Sequence, residues 1–214
     1  MNQIKKIALT GGPGSGRKEI TMRLAAHFEE EVIIVQDAAR DAKEERDEEW
    51  QEKWEEDYEL EMMRRQLEYE IAARKDAEKM SRPAIIICER GLPDLSSFSK
   101  DQGEDFYKKL GLKKEEALGL YDEVIHLESL AKDKPELYEQ KRERNKSLVS
   151  REKALEIDQN FLKAWEGHKN RSIISTTDSV EEKAASAQSK VEGSLFRLYR
   201  EGARELNPGR LPKQ

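Results

Sequence analysis

The chain has 214 residues, 36% of them hydrophobic and 39% charged, with a formal net charge of -6 and a pI near 5.4. That length suits one α/β domain around a single core, and a net negative charge supplies no overall positive field to draw nucleic acid or an anionic membrane. No apolar run reaches membrane length and no signal-peptide pattern is present, so a cytoplasmic protein with no membrane or nucleic-acid partner is expected.

In chain order, Ile4 to Thr10 is an apolar run ended by Gly-Gly-Pro, and Ile20, Leu24 and Phe28 then recur every fourth residue, which predicts strand, loop and amphipathic helix. The loop, Gly11-Gly12-Pro13-Gly14-Ser15-Gly16, has the glycine spacing of the phosphate-binding pattern G-x-x-x-x-G-K-S/T. Such a loop curls backbone N–H groups around phosphate oxygens and aims a helix N-terminus at the same anion. Its last two positions depart from the pattern: Arg17 stands where the lysine belongs, and Lys18 where a magnesium-binding hydroxyl belongs. A guanidinium differs from an ammonium in shape and reach, and a lysine offers no oxygen to Mg²⁺. The loop therefore predicts an anion site, for a nucleotide or a phosphate-type anion, without a predicted metal site. The spacing of Gly12 and Gly14 does not complete the dinucleotide pattern G-x-G-x-x-G, because Arg17 falls on the third glycine.

Val32 to Val35 predicts a second buried strand that delivers Asp37 and Arg40 to its C-terminal end, the edge where open α/β sheets bind ligands. From Asp41 to Met80 the residues are good helix formers, dense in Glu and Lys, and predict one or two long helices. Trp50, Trp54, Tyr58 and Met62 form one stripe at helical spacing, and Leu60, Met63, Leu67 and Ile71 a second. These stripes either pack on the sheet or bind a protein partner through helices 41–80. Arg82-Pro83 ends the helix, and Ala84 to Cys88 predicts a central strand leading into Glu89-Arg90 at the same edge as the glycine loop. Cys88, the single cysteine, excludes an internal disulfide and reads as a small buried hydrophobe.

Two short helices follow, around Glu104 to Leu110 and Lys113 to Leu120, and Glu123 to Leu127 predicts a fourth strand in which His126 is a packed residue. His27, His126 and His168 have no zinc-ligand spacing. Lys132 to Ser150 is polar and basic without hydrophobic periodicity and predicts a mobile loop over a site, a lid spanning about 130–150. Ser150 can cap a helix with Ala154, Ile157, Phe161 and Trp165 on its apolar face, Ser172 to Ser175 predicts a fifth strand, and Ser179 with Glu182 forms a capping box opening a last helix. A single domain over 1–202 and a flexible tail over 203–214 complete the expectation.

The order of GGPGSG, VQDAAR, CERGLPD, LYDEVIHLE, a basic segment and AWEGHKNRSII resembles the AAA-family P-loop ATPases related to ribosylnicotinamide kinase. The resemblance implies a three-layer α/β P-loop NTPase fold, similar to adenylate and thymidylate kinases, with a five-stranded parallel sheet and a lid. It also implies ATP or GTP as ligand, held by Gly11 to Gly16 with Arg17 and Lys18. Asp37 would be the acid after the second strand, the Glu89-Arg90 pair would orient the phosphoryl acceptor and metal-bound water, with Asp37 and Glu89 as the candidate bases, and Arg142 and Arg144 would serve as lid arginines. Phosphoryl transfer depends chiefly on positioning and charge neutralisation, which suits carboxylates and arginines in these places. Three functions stay open: a nucleotide-binding protein with weak or impaired Mg²⁺-dependent catalysis, a non-catalytic interaction or scaffold protein, and an active ATP-dependent nucleoside-type kinase.

Overall fold

A computed structural model describes residues 3–39, 56–99, 104–177 and 179–206. Arg40, Trp50, Trp54, the side chain of Tyr58 and residues 207–214 lie outside them. Five parallel strands, β1 (Ile4–Thr10), β2 (Val32–Val35), β3 (Ala84–Glu89), β4 (Glu123–Leu127) and β5 (Arg171–Ile174), form one sheet in the order β2-β3-β1-β4-β5. The helices are α1 (Arg17–Phe28), α2 (Glu56–Lys79), α3 (Leu92–Leu95), α4 (Glu104–Lys108), α5 (Lys114–Gly119), α6 (Leu130–Asp133), α7 (Pro135–Arg144), α8 (Arg151–Ala164) and α9 (Val180–Leu206). Short 3₁₀ turns follow α1 and α3, at Glu29–Glu31 and Ser96–Phe98.

Alternation along the buried strands divides the core into two layers. Ala8, Ile86, Cys88 and Val124 pack on one face with Met62 and Met63 of α2, Phe106 and Tyr107 of α4, and Trp165. Ile7, Leu9, Ile85, Ile87, Ile125 and Leu127 pack on the other with Ile20, Leu24 and Phe28 of α1 and with Ala187 and Val191 of α9. Register then places the chemistry. Leu9 pairs with Glu89, Thr10 with His126, and Val35 with Cys88. The chain therefore leaves β1, β2, β3 and β4 at one common edge, carrying the glycine loop, Asp37 and Arg90 with it.

The structure departs from the sequence expectation in three places. The segment expected as a mobile loop over 130–150 is largely helical, as α6 and α7, with Pro135 opening α7. Its low periodicity has a simple cause: Tyr138 is the only fully buried residue of α7. In α2 the buried row is Glu59, Met62, Met63, Gln66, Glu70, Ala73 and Ala77, so Leu60 and Leu67 are half-buried and Ile71 is 54% exposed. The stripe is displaced because a polar row faces inward and finds partners. Lys6 Nζ lies 2.5 Å from Glu70 Oε2, the Tyr121 hydroxyl donates to Glu70 Oε1 at 2.6 Å, and the Gln66 amide donates to the same oxygen at 2.9 Å. Finally, α9 continues to Leu206, so residues 203–206 are helical where a tail was expected.

Candidate functional site

The glycine loop turns sharply after β1. Gly14 has φ 79°, and a Cβ there would also sit 2.7 Å from the Tyr138 ring of α7, so both conformation and space demand glycine. Arg17, the first residue of α1, folds back over the loop mouth. Its guanidinium donates to Gly11 O at 2.8 Å and to Asp37 Oδ2 at 3.2 Å, while Nε lies 3.7 Å from Glu89 Oε1. Arg90 shares the same carboxylate, with Nη1 3.0 Å from Asp37 Oδ2. Its guanidinium is held between the rings of Phe98 and Phe161, 5.1 Å from each centroid.

Four residues singled out in the sequence thus meet in one buried group of two guanidinium and two carboxylate side chains. Burial, and then the neighbouring Arg90, lower the pKa of Arg17 to about 10, with Asp37 and Glu89 opposing the shift. The Nε–H groups of both arginines are buried without a hydrogen-bond partner among the described residues. Behind them Asp94 accepts from Thr10 Oγ1 at 2.6 Å, from Trp165 Nε1 at 2.8 Å and from Gly91 N at 2.9 Å. Burial pushes the Asp94 carboxyl pKa upward, against those three donors and Arg90.

The opposite wall comes from the lid and α9. Asp158 of α8 accepts the Gly12 N–H at 2.7 Å, and a Cβ on Gly12 would lie 2.8 Å from its side chain. Burial drives the Asp158 pKa up, but His126 and the N–H groups of Gly12 and Ser129 outweigh it and hold the carboxyl below its usual range. His126 is fully buried, with Nε2 3.3 Å from Asp158 Oδ1. Lys183 of α9 is buried, and its ammonium donates to Ser15 O at 3.2 Å and Glu128 O at 2.6 Å. Burial lowers its pKa to about 8, aided by Lys141 and opposed by Asp158 and Glu128. Ser129 Oγ donates to Pro13 O.

With the loop, the sheet edge and both walls in place, the family is decided by a match to the AAA domain over residues 6–183. The chain belongs to the AAA-domain family. No curated protein sequence matches it. Among solved structures, this AAA-domain chain is similar to the deoxyadenosine kinase of M. mycoides. The form with bound dATP gives a TM-score of 0.54 at 18% identity, covering 88% of this chain and 99% of that one. The form with the products dCMP and a flexible dCDP gives 0.55 at 16% identity, with the same coverage. The likeness is one of fold: a P-loop kinase-like α/β domain with a five-stranded parallel sheet.

Other expected site residues lie apart from this group. Lys18 is exposed on the first turn of α1. Arg142 is half-buried and bonded to Glu139 at 2.7 Å within α7, and Arg144 is exposed at the end of that helix. A small cavity of about 30 Å³ lies beside Gly14, Ser15 and Gly16, bounded by Leu137, Lys141, Thr177 and Lys183; that is room for little more than a water. The AAA-domain site also draws on Asp158 and Lys183, which sequence reading did not single out. One signal for both was present, a charged residue in a buried helical row: Asp158 with Ala154, Phe161 and Trp165, and Lys183 with Ala187 and Val191.

Proposed function

We propose that this chain binds a nucleoside phosphate or related phosphate anion, ATP or GTP by resemblance, at the glycine loop, and that it transfers phosphoryl groups with Mg²⁺ weakly or not at all. The observation that carries the reading is the clasp on Arg17, held at once by Gly11 O, Asp37 and Glu89. Asp37 and Glu89 are the acids that would steer an acceptor or hold metal-bound water, and in this arrangement they neutralise a buried guanidinium. The donor set does not suit Mg²⁺, because residue 18 supplies an exposed ammonium in place of an oxygen and both nearby carboxylates are ion-paired.

Anion binding keeps its physical basis. The loop presents backbone N–H groups at the start of a twelve-residue helix, and the Nε–H of Arg90, without a hydrogen-bond partner among the described residues, is a donor suited to an oxyanion. A second reading, an active nucleoside-type kinase of the ribosylnicotinamide kinase branch, draws on one specific observation: Asp37, Glu89 and Arg90 converge at the loop edge as phosphoryl transfer requires. The scaffold reading rests on helices 41–80, of which residues 41–55 lie outside the described residues.

Titration calorimetry with ATP and GTP, with and without Mg²⁺, separates these readings. Binding that changes little with Mg²⁺, together with negligible phosphotransfer, is expected. Strong Mg²⁺-dependent binding with turnover would establish the kinase, and no nucleotide binding would leave the scaffold. In the double variant Arg17→Lys, Lys18→Thr, binding of the Mg²⁺-nucleotide should tighten by about tenfold or more, about 1.4 kcal/mol.

A further inference from the structure

Away from the glycine loop, a cleft of about 280 Å³ opens between the turn after α3, α4, α5 and α8. Ser96 in its lining is bonded within the fold, to Pro93 O at 2.7 Å, but other polar groups there are not. Tyr107 is 1% exposed, yet its hydroxyl, with Ser96 beside it, makes no hydrogen bond of good geometry among the described residues, and the buried Ser97 Oγ makes none either. A buried polar group left unpaired costs stability, so two in one cleft call for an explanation. Lys114 and Lys163 converge there from α5 and α8 with Asn160, and among the described residues neither lysine is ion-paired. Among the described residues Glu166 is the only carboxylate in the lining, and Asp94 and Glu104 also act electrostatically on the Tyr107 hydroxyl.

We infer that this cleft is a second binding site, for a small phosphomonoester. Two ammonium groups against one carboxylate leave the lining net positive, and a phosphomonoester carries close to two negative charges at neutral pH. Its three terminal oxygens need donors, which the lysines, Asn160 and the two unpaired hydroxyls supply. Tyr107 stays a neutral donor, since burial drives its pKa up to about 12 despite Ser96. A cleft of this size sits just below the usual range for ligand pockets and suits a compound no larger than a pentose phosphate. The cleft carries this assignment by itself, whatever the glycine loop binds. The site also has a mechanical connection. Ser97 precedes Phe98, and Asn160 precedes Phe161, the two rings that clamp Arg90.

The test is ³¹P NMR and calorimetric titration of the full chain with inorganic phosphate and with ribose 5-phosphate. The proteins compared are wild type, Lys114→Gln with Lys163→Gln, Tyr107→Phe, and Arg17→Ala. Both lysines are partly or fully exposed, so the double variant should fold as wild type does. Ribose 5-phosphate should bind wild type and Arg17→Ala alike, about tenfold more weakly to Tyr107→Phe and at least about a hundredfold more weakly to the lysine pair variant. Weakening below about pH 6, as the phosphate takes up its second proton, would match the charge argument. Binding lost in Arg17→Ala but kept in the lysine pair variant would assign the phosphate to the glycine loop and overturn the inference, as would absence of binding at millimolar ligand. Inorganic phosphate binding without ribose 5-phosphate binding would also overturn it, leaving an ion site.

Discussion

The two walls flanking the glycine loop are built differently. The inner wall of Asp37, Glu89, Arg90 and Asp94 is embedded in the larger core layer, beside Trp165, Tyr121 and the inward row of α2. Each of its charges meets an opposite charge or several donors. The lid wall has a core of its own of four buried residues, Leu130, Ala131, Tyr138 and Ala154. It touches the loop mainly through Tyr138 against Gly14, Ser129 with Pro13, and Asp158 with Gly12. Stability follows buried area and paired polar groups, so the inner wall should open only with the whole domain, and the lid on its own.

The strongest way to break this contrast is Asp94→Ala, which strips three buried donors of their acceptor. A loss of about 3–5 kcal/mol is expected in denaturant unfolding, as one cooperative transition; an unchanged midpoint would show that the inner wall is not anchored as described. Tyr138→Ala sharpens the same contrast from the other side. It should cost about 2–3 kcal/mol, less than an average buried aromatic because the small lid core can collapse. Amide exchange should quicken mainly across residues 130–155, the span of the lid core, whereas uniform quickening would merge the two walls into one unit.

Asp158→Asn is the smallest change, about 1–2 kcal/mol, from weakening the bonds that Gly12 N and Ser129 N donate to it. The folded carboxyl titrates below its unfolded value of about 4, so its contribution is complete above that pH and disappears as pH falls through the lower folded value. The variant should show a smaller acid-induced destabilisation than wild type, measured as denaturant midpoint against pH. A superimposable pH profile would mean that Asp158 does not bind the loop as a carboxylate.

These contrasts also explain what could be read in the sequence. Asp37, Glu89 and Arg90 were legible because they directly follow apolar runs, and parallel register carries strand ends to one edge. Ser150 and Ser179 were legible as caps, and the structure bears out both hydrogen bonds, to Lys153 N and Glu182 N. The lid helices were not, because a helix that buries one tyrosine has hardly any apolar period to detect. Asp158 and Lys183 escaped for a different reason. Their partners are backbone groups of the loop, 146 and 168 residues away, and a main-chain acceptor or donor leaves no residue-type signature. The inward polar row of α2 displaced its stripe by the same logic, since Glu70 is buried only in company with Lys6 and Tyr121.

The central place of β1 in the sheet bears on how the protein is made. Its neighbours β3 and β4 come from residues 84–89 and 123–127, and the carboxylate that meets Gly12 comes from residue 158. A ribosome adds about 5–20 residues per second, so the glycine loop leaves the exit tunnel many seconds before anything exists to hold its shape. During that interval the chain carries an apolar strand with both edges unpaired, the state most exposed to association with other nascent chains. The earliest part of the site in sequence must wait for its latest residues, Asp158 and Lys183, before its contacts are complete.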